Sequence, residues 1–472
     1  MSDQYVGFLD RTLARVRDRW LASTRGAKTA GLKPNLAPDL PDADLALIRH
    51  QIDACLERHG GEVSARRRAA DLGRAYLELS DAGRARFLAL LAHDYGVDSE
   101  TVDGAMLAVR EADSADARRR AEAVLRAALV APRIALLRQF NDLEDGVKFL
   151  VNLRRDLAPL KRDDADFGAF DGELRELLAG WFDIGFLDLR RISWQAPADL
   201  LEKLIAYEAV HQIRSWDDLK NRLDSDRRCY AFFHPRMPDE PLIFVEIALV
   251  KGMAGTIHDL LDETAPAEDP ATADTAIFYS ISNCQPGLAG VSFGDFLIKR
   301  VVDSLTRDFP NLKTFATLSP LPDFRTWLAA NAADPEVTLL GETEARLIGA
   351  IARNQDGDGA LLELLDVPDW PNDPDLAREL EPPLLRLAAR YLLSAKRGAR
   401  AYDRVAHFHL TNGARVERLN WAADLSATGL AQSAGIMVNY RYKLGDIDRN
   451  HETYRGDAKV MASAAVRKLA KA

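Results

Sequence analysis

The chain has 472 residues, 62 Lys+Arg against 72 Asp+Glu, a formal net charge of −10, 47% hydrophobic and 28% charged residues. Such averages exclude a disordered, collagenous or disulfide-scaffold chain. The acidic balance argues against a general nucleic-acid binder, which would present a basic face to phosphates. Three cysteines (Cys55, Cys229, Cys284) and no CxxC pair fit thiols used as small hydrophobes in a reducing compartment. No apolar run reaches the roughly 18–20 residues that span a bilayer. The opening MSDQYVGFLD lacks a signal-peptide core, and Lys468–Ala472 is no peroxisomal address. Arg exceeds Lys and Ala is abundant, as in chains from GC-rich bacterial genomes. The expectation is a cytoplasmic bacterial protein with neither a nucleic-acid nor a membrane partner.

Up to about residue 182 the apolar spacing predicts helix after helix. Asp42–Arg58 places Leu45, Ile48, Ile52 and Leu56 at helical intervals, opened by Pro41 and stopped by Gly60-Gly61. Further helices are expected at Arg66–Leu79, Gly83–His93, Thr101–Leu129 and Ile134–Leu157. From residue 183 the texture changes. Cys229–His234, Leu242–Val250, Thr275–Ser282 and Leu312–Ser319 read as strands, with Pro235–Pro241 as a turn segment. The amphipathic helix Asp295–Asp308 separates the last two strands and makes a strand–loop–helix–strand unit. A helical insertion follows near 342–396, then strands at Arg404–Thr411, Val416–Trp421 and Ile436–Tyr442. The division is therefore a helical domain over 1–182 and an α+β domain over 183–472.

Three motifs could carry chemistry. Gln285-Pro286-Gly287-Leu288-Ala289-Gly290 continues into Val291-Ser292-Phe293-Gly294 between a strand and a helix. Glycines there admit close backbone approach, and a helix N-terminus favours phosphate. Lys299 and Arg300 could add local positive charge. The spacing fits neither the Rossmann nor the Walker pattern. It resembles the pyrophosphate turn of N-acetyltransferase-like (GNAT) folds, with Leu288 in the central glycine position. The second motif, Thr317-Leu318-Ser319-Pro320-Leu321-Pro322, holds a serine beyond a strand end, where ligands gather in layered folds; a structural Ser-Pro turn is the bland alternative. The third, His407-Phe408-His409-Leu410, puts two imidazoles on one face if the segment is a strand. A metal pair, a structural hydrogen-bonded pair and an acid/base group all remain open for it. Glu246 reads as facing a polar layer or a subunit interface, His234-Pro235 as a turn, His258 as surface, and Cys284 as a packed thiol.

The ordered segments HPRMPDEPLIFVEIALVKGM (234–253), AIFYSISNCQPGLAGVSFGDFLIKRVV (276–302), FATLSPLPDFRTWL (315–328), HFHLTNGARVERLNWAADLSATG (407–429) and MVNYRYKL (437–444) closely resemble the malonyl-CoA decarboxylase family. The resemblance implies a GNAT-like catalytic domain behind a helical one, and conversion of malonyl-CoA to acetyl-CoA and CO₂ without cofactor or metal. It puts the family's serine on Ser319 and its histidine, the proton donor, on His409. The acyl-CoA-binding segment falls on Ala289, Gly290, Val291, Ser292, Phe293, Gly294 and Asp295. The helical domain is expected to support a homo-oligomer, dimer or tetramer. Rival functions are a GNAT-type acyltransferase, a metal hydrolase using the HxH pair, and a non-catalytic malonyl-CoA sensor.

Overall fold

The computed structural model describes residues 36–57, 61–162, 164–182, 184–291, 297–353, 357–367 and 369–471. They fall into two compact units. The first comprises the described residues up to Asp188 with those of Phe233–Leu242 and Asn283–Phe293; the second comprises Leu189–Phe232, Ile243–Ser282 and the described residues from Gly294 onward. Among the described residues no helix is long and apolar enough to cross a membrane.

The first unit is helical, as the spacing predicts: Asp42–Leu56, Gly61–Glu78, Asp81–Asp94, Ser99–Glu111, Ala115–Ala128, Arg133–Asn141, Gly146–Leu157 and Ala165–Trp181. Side-chain oxygens of Ser80, Asp98, Ser114 and Asp164 accept first-turn N–H groups, each cap contributing about 1 kcal/mol. Two expected long helices are each divided. Ser114 caps a new helix and so splits Thr101–Leu129. Asp145, left-handed at φ 56°, splits Ile134–Leu157. Apolar periodicity continues across both breaks, and periodicity alone therefore joined them. The core is aromatic: Tyr76 meets Phe87 and Phe149 at ring-centroid distances of 5.2 and 5.6 Å, and Phe140 meets Phe149 at 5.0 Å.

The mixed sheet uses β1 (Asp188–Ile192), β2 (Arg227–His234), β3 (Met237–Val250), β4 (Thr275–Asn283), β5 (Thr314–Thr317), β6 (Ser319–Pro320), β9 (Arg415–Asn420) and β10 (Met437–Tyr442). A separate ribbon pairs β7 (Lys396–Arg397) with β8 (Arg400–Ala401). The sheet order is β1-β2-β3-β4-β5-β10-β6, with β9 also on β10. Strands β4 and β5 are parallel, Phe278 opposite Thr317. Helix Leu297–Asp308 joins them and buries Leu297, Ile298, Val301, Val302 and Leu305. This is the expected strand–loop–helix–strand unit of an α+β domain. Strand β10 runs antiparallel to both β5 and β6, setting Tyr442 opposite Phe315 and Val438 opposite Ser319. The helical insertion is present as Glu342–Ala352, Gly357–Asp366 and Pro374–Ser394. Two strand readings are corrected. β3 begins at Met237, inside the expected turn segment. Arg404–Thr411 is an α-helix, because the Asp403 carboxylate accepts the N–H groups of Val405 and Ala406, both at 2.9 Å. Its Val, Phe and Thr suit strands by propensity, but the cap and the buried Ala406/Leu410 pair, four apart, prevail.

Candidate active site

Ser319 and His409 meet in the second unit. Ser319, 6% exposed, starts β6 immediately after β5, and Val438 opposite fixes its register. His409, 2% exposed, stands in the last turn of the Arg404–Thr411 helix. Ser319 Oγ lies 3.1 Å from His409 Nε2 and donates to Thr317 Oγ1 at 2.9 Å. With the serine proton so directed, Nε2–H donates to Ser319 Oγ. The other ring nitrogen, Nδ1, then accepts the Tyr442 hydroxyl proton at 2.7 Å. The Tyr440 ring stacks on the imidazole, centroids 4.6 Å apart and planes inclined by 25°.

The neighbours of this pair are themselves fixed. Thr317 Oγ1 accepts the Tyr440 N–H at 3.1 Å. Asn439 Nδ2 donates to the Thr317 carbonyl at 2.7 Å, while its Oδ1 accepts from Arg418 and Asn420. Burial pushes the His409 pKa down to about 3, because an imidazolium would lose its hydration there. Burial pushes the Tyr442 phenol far up. At neutral pH both groups are therefore uncharged. Such a site offers hydroxyls and a neutral imidazole, a set suited to moving one proton and to bonding an oxygen whose charge develops during reaction.

His407 is not part of it. On a helix, residues two apart project about 200° from each other, and His407 Nδ1 pairs instead with the Tyr454 hydroxyl at 2.8 Å. The same-face HxH pair expected of a strand does not exist, and the metal-hydrolase reading loses its chelate. Glu246 is buried on Arg222 Nη1 at 3.0 Å, in a polar layer; burial, then neighbouring Glu208, raise its pKa to about 8. His234 serves its turn, Nδ1 accepting the Arg236 N–H. His258 is exposed and accepts the Leu425 N–H, and Cys284 is buried.

The glycine loop belongs to the first unit. Pro286–Leu288 forms a single 3₁₀ turn, and Gly290 holds φ 74°, a conformation that disfavours side chains. Gln285 does not face outward. It is 4% exposed, its Oε1 accepting from Lys148 at 2.7 Å and its Nε2 donating to the Pro241 carbonyl at 2.9 Å. Of the expected acyl-CoA segment, Ala289, Gly290 and Val291 are described; Ser292, Phe293, Gly294 and Asp295 lie outside the described residues. Lys299 is engaged with Asp448 at 3.3 Å, and Arg300 lies over the Phe232 ring.

Residue-by-residue reading missed the partners of the pair. Thr317 lies two residues before Ser319, and Tyr440 and Tyr442 alternate on β10. Period two places each set on one face, the signal that could have found them. Lys148 and Arg154, which meet the glycine loop, gave no local signal.

Comparison with known proteins converges on one family. The family described as malonyl-CoA decarboxylase C-terminal domain matches residues 185–472, and its N-terminal counterpart matches residues 95–182. The mitochondrial malonyl-CoA decarboxylase of Anser anser anser is 39% identical over 419 residues, covering 85% of this chain and 83% of that protein. That of Mus musculus is 38% identical over 416 residues, covering 85% and 84%. Among solved structures, malonyl-CoA decarboxylase from Rhodopseudomonas palustris superposes with a TM-score of 0.82 at 43% identity, over 90% of this chain and 99% of the other. The Agrobacterium vitis enzyme follows at 0.80 and 42%, with the same coverage. A helical first part, a mixed sheet with the parallel β4/β5 pair, and matches along most of its length make this chain a member of the malonyl-CoA decarboxylase family.

Proposed function

We propose that this protein decarboxylates malonyl-CoA to acetyl-CoA and CO₂, with Ser319 and His409 as its catalytic pair. The observation that carries the assignment of residues is the buried 3.1 Å contact between Ser319 Oγ and His409 Nε2. Loss of CO₂ leaves negative charge over Cα and the thioester oxygen, and the thioester is its own electron sink. The protein's tasks are to orient the carboxylate, hydrogen-bond the developing oxyanion and deliver one proton to Cα. Ser319 acts as a hydrogen-bonding group: no neighbouring base is needed to ionise it, and its proton already has a partner in Thr317. His409 starts neutral. A bound substrate carboxylate raises the proton affinity of the ring by Coulomb attraction in a dry site. The ring thus takes up one proton from solvent at Nδ1 as the substrate binds, Nδ1–H then donating to the Tyr442 oxygen, and gives its Nε2 proton to Cα as CO₂ leaves, which returns it to the neutral form. Tyr442 holds the ring orientation throughout.

The acyl-CoA portion is assigned to Ala289–Asp295. The left-handed Gly290 supports this reading, since a backbone bare of Cβ lets a pyrophosphate approach its N–H groups. A homo-oligomer in the cytoplasm completes the proposal. The Ala115–Ala128 helix buries none of its side chains, and Leu107, Val124, Leu129 and Val130 are each more than half exposed, an apolar surface that a second copy would cover. One assay tests the function: chelator-treated protein with malonyl-CoA, following acetyl-CoA and CO₂. Both products are expected in equal amounts. Binding without CO₂ release would make the chain a sensor, acetyl transfer to an amine an acyltransferase, and loss on chelation restored by zinc a metalloenzyme.

A further inference from the structure

Helix Gly146–Leu157 presents Lys148, Val151 and Arg154 three residues apart, on one stripe, and all three meet the 285–289 turn within the first unit. Lys148 holds the Gln285 side chain and pairs with Glu240 at 3.3 Å. The Val151 carbonyl packs so closely that a Cβ on Gly287 would sit 1.8 Å from its oxygen. Arg154, 5% exposed, is the most heavily committed. Its Nη1 donates to the carbonyls of Gly287 at 2.8 Å and Ala289 at 2.7 Å. Its Nε and Nη2 reach the two Asp171 oxygens at 2.9 and 3.4 Å, and Lys161 adds a third bond to Asp171 at 3.1 Å. A planar guanidinium anchored on one edge by a carboxylate is a rigid fork, and the loop's carbonyls rest on its other edge.

A trans peptide points its N–H opposite to its C=O. Fixing the Ala289 carbonyl on Arg154 therefore aims the Gly290 N–H away from the helix. The left-handed Gly290 lets the chain turn onward from that orientation.

We propose that Arg154, anchored by Asp171, is a positioning residue for acyl-CoA: it sets the Ala289–Gly290 peptide so that the loop is preorganised for the pyrophosphate. This rests on the loop's role in binding acyl-CoA. Preorganisation appears in ground-state affinity for the part of the ligand that the loop touches, not in the chemical step.

The test compares malonyl-CoA with malonyl-pantetheine, which carries the same reacting group without the nucleotide. Arg154→Met is expected to raise KM for malonyl-CoA about tenfold, the loss of charge-assisted hydrogen bonds that shape the site. KM for malonyl-pantetheine and kcat for both should stay within about twofold, since uniform binding is what is lost. Arg154→Lys, which keeps the charge but not the fork, should fall between. Asp171→Asn keeps Arg154 and frees its anchor; it should raise the same KM ratio and decides the matter if Arg154→Met does not fold. Equal changes for both substrates, or none, beside a Gly290→Val variant that selectively loses malonyl-CoA, would overturn the role of Arg154 while leaving the loop reading intact. If Gly290→Val is also unselective, the loop does not bind the nucleotide and both readings fall.

Discussion

The Ser319–His409 pair and the 285–291 loop are held by opposite kinds of interaction. Around the pair, hydroxyls, amides and tyrosine rings enclose an uncharged imidazole, and Arg418 enters only at one remove through Asn439. Beneath the loop, buried Lys148 and Arg154 form ion pairs with Glu240 and Asp171. Burial raises the Asp171 pKa, but the bonds from Arg154 and Lys161 outweigh it and hold the carboxyl below its ordinary range. The difference fits the role proposed for each region. A binding loop needs one shape at all times, and charge-assisted bonds fix shape firmly. A proton donor must change its charge state during turnover, and a permanent countercharge beside it would hold it in one state.

The sharpest way to break this contrast is to remove the imidazole. His409→Asn keeps polarity and approximate size but offers no acid, and kcat should fall by about 10²–10⁴-fold, read by CO₂ release at saturating malonyl-CoA. Substantial turnover in that variant would end the donor assignment. Ser319→Ala comes next, with kcat lowered on the order of 10²–10³-fold if bound substrate turns the hydroxyl away from Thr317 to act as one oxyanion-type donor. CoA affinity, measured by calorimetry, should remain close to that of the parent, because the loop's supports are untouched.

The neutral imidazole also has a pH signature. With its pKa near 3 in the free protein, the protonated fraction falls as pH rises through neutrality. Since kcat/KM reports the free enzyme, it should fall about tenfold per unit between pH 5 and 7, without a break near the ordinary histidine value. A flat profile followed by a break near 6.5 would mean that His409 is not desolvated as described. Smaller still is Gly290→Val, which places a branched side chain at φ 74°; KM for malonyl-CoA should rise about tenfold with kcat little changed. His407→Asn should alter kcat least, by less than about threefold, since its contact is Tyr454 on the far side of the helix. A dead His407→Asn beside an active His409→Asn would reverse the assignment of the two rings.

What the sequence made legible was local or repeated. Apolar spacing located the helices of the first unit up to Leu157, though not Ala165–Trp181, and β-rich runs located β2, β4, β5, β9 and β10, because each signal lies within its own window. Single-residue devices were harder to read. Ser114 and Asp145 divide helices without disturbing the periodicity around them. The Asp403 cap turned an apparent strand into the helix that separates His407 from His409. Ser319 and His409 were indicated through family resemblance, as spacing left both histidines open. The supports of the glycine loop had no sequence signature at all. Arg154 and the Gly287 carbonyl are 133 residues apart in the chain, and only folding discloses that pair.

The placement of β10 has a consequence for biosynthesis. It supplies both the antiparallel neighbour of Ser319 and the tyrosines that hold His409, yet among the described residues it is the last strand to be made. At the pace of translation, Met437–Tyr442 leaves the ribosome on the order of ten seconds after Ser319. Until then β5 and β6 lack the strand that lies between them in the finished sheet, and the serine has no fixed register. A nascent chain can fold its early helices from local contacts, but the reactive pair forms only on nearly complete chains. Chains interrupted before residue 437 would carry the glycine loop but lack the strand that sets Ser319 against His409.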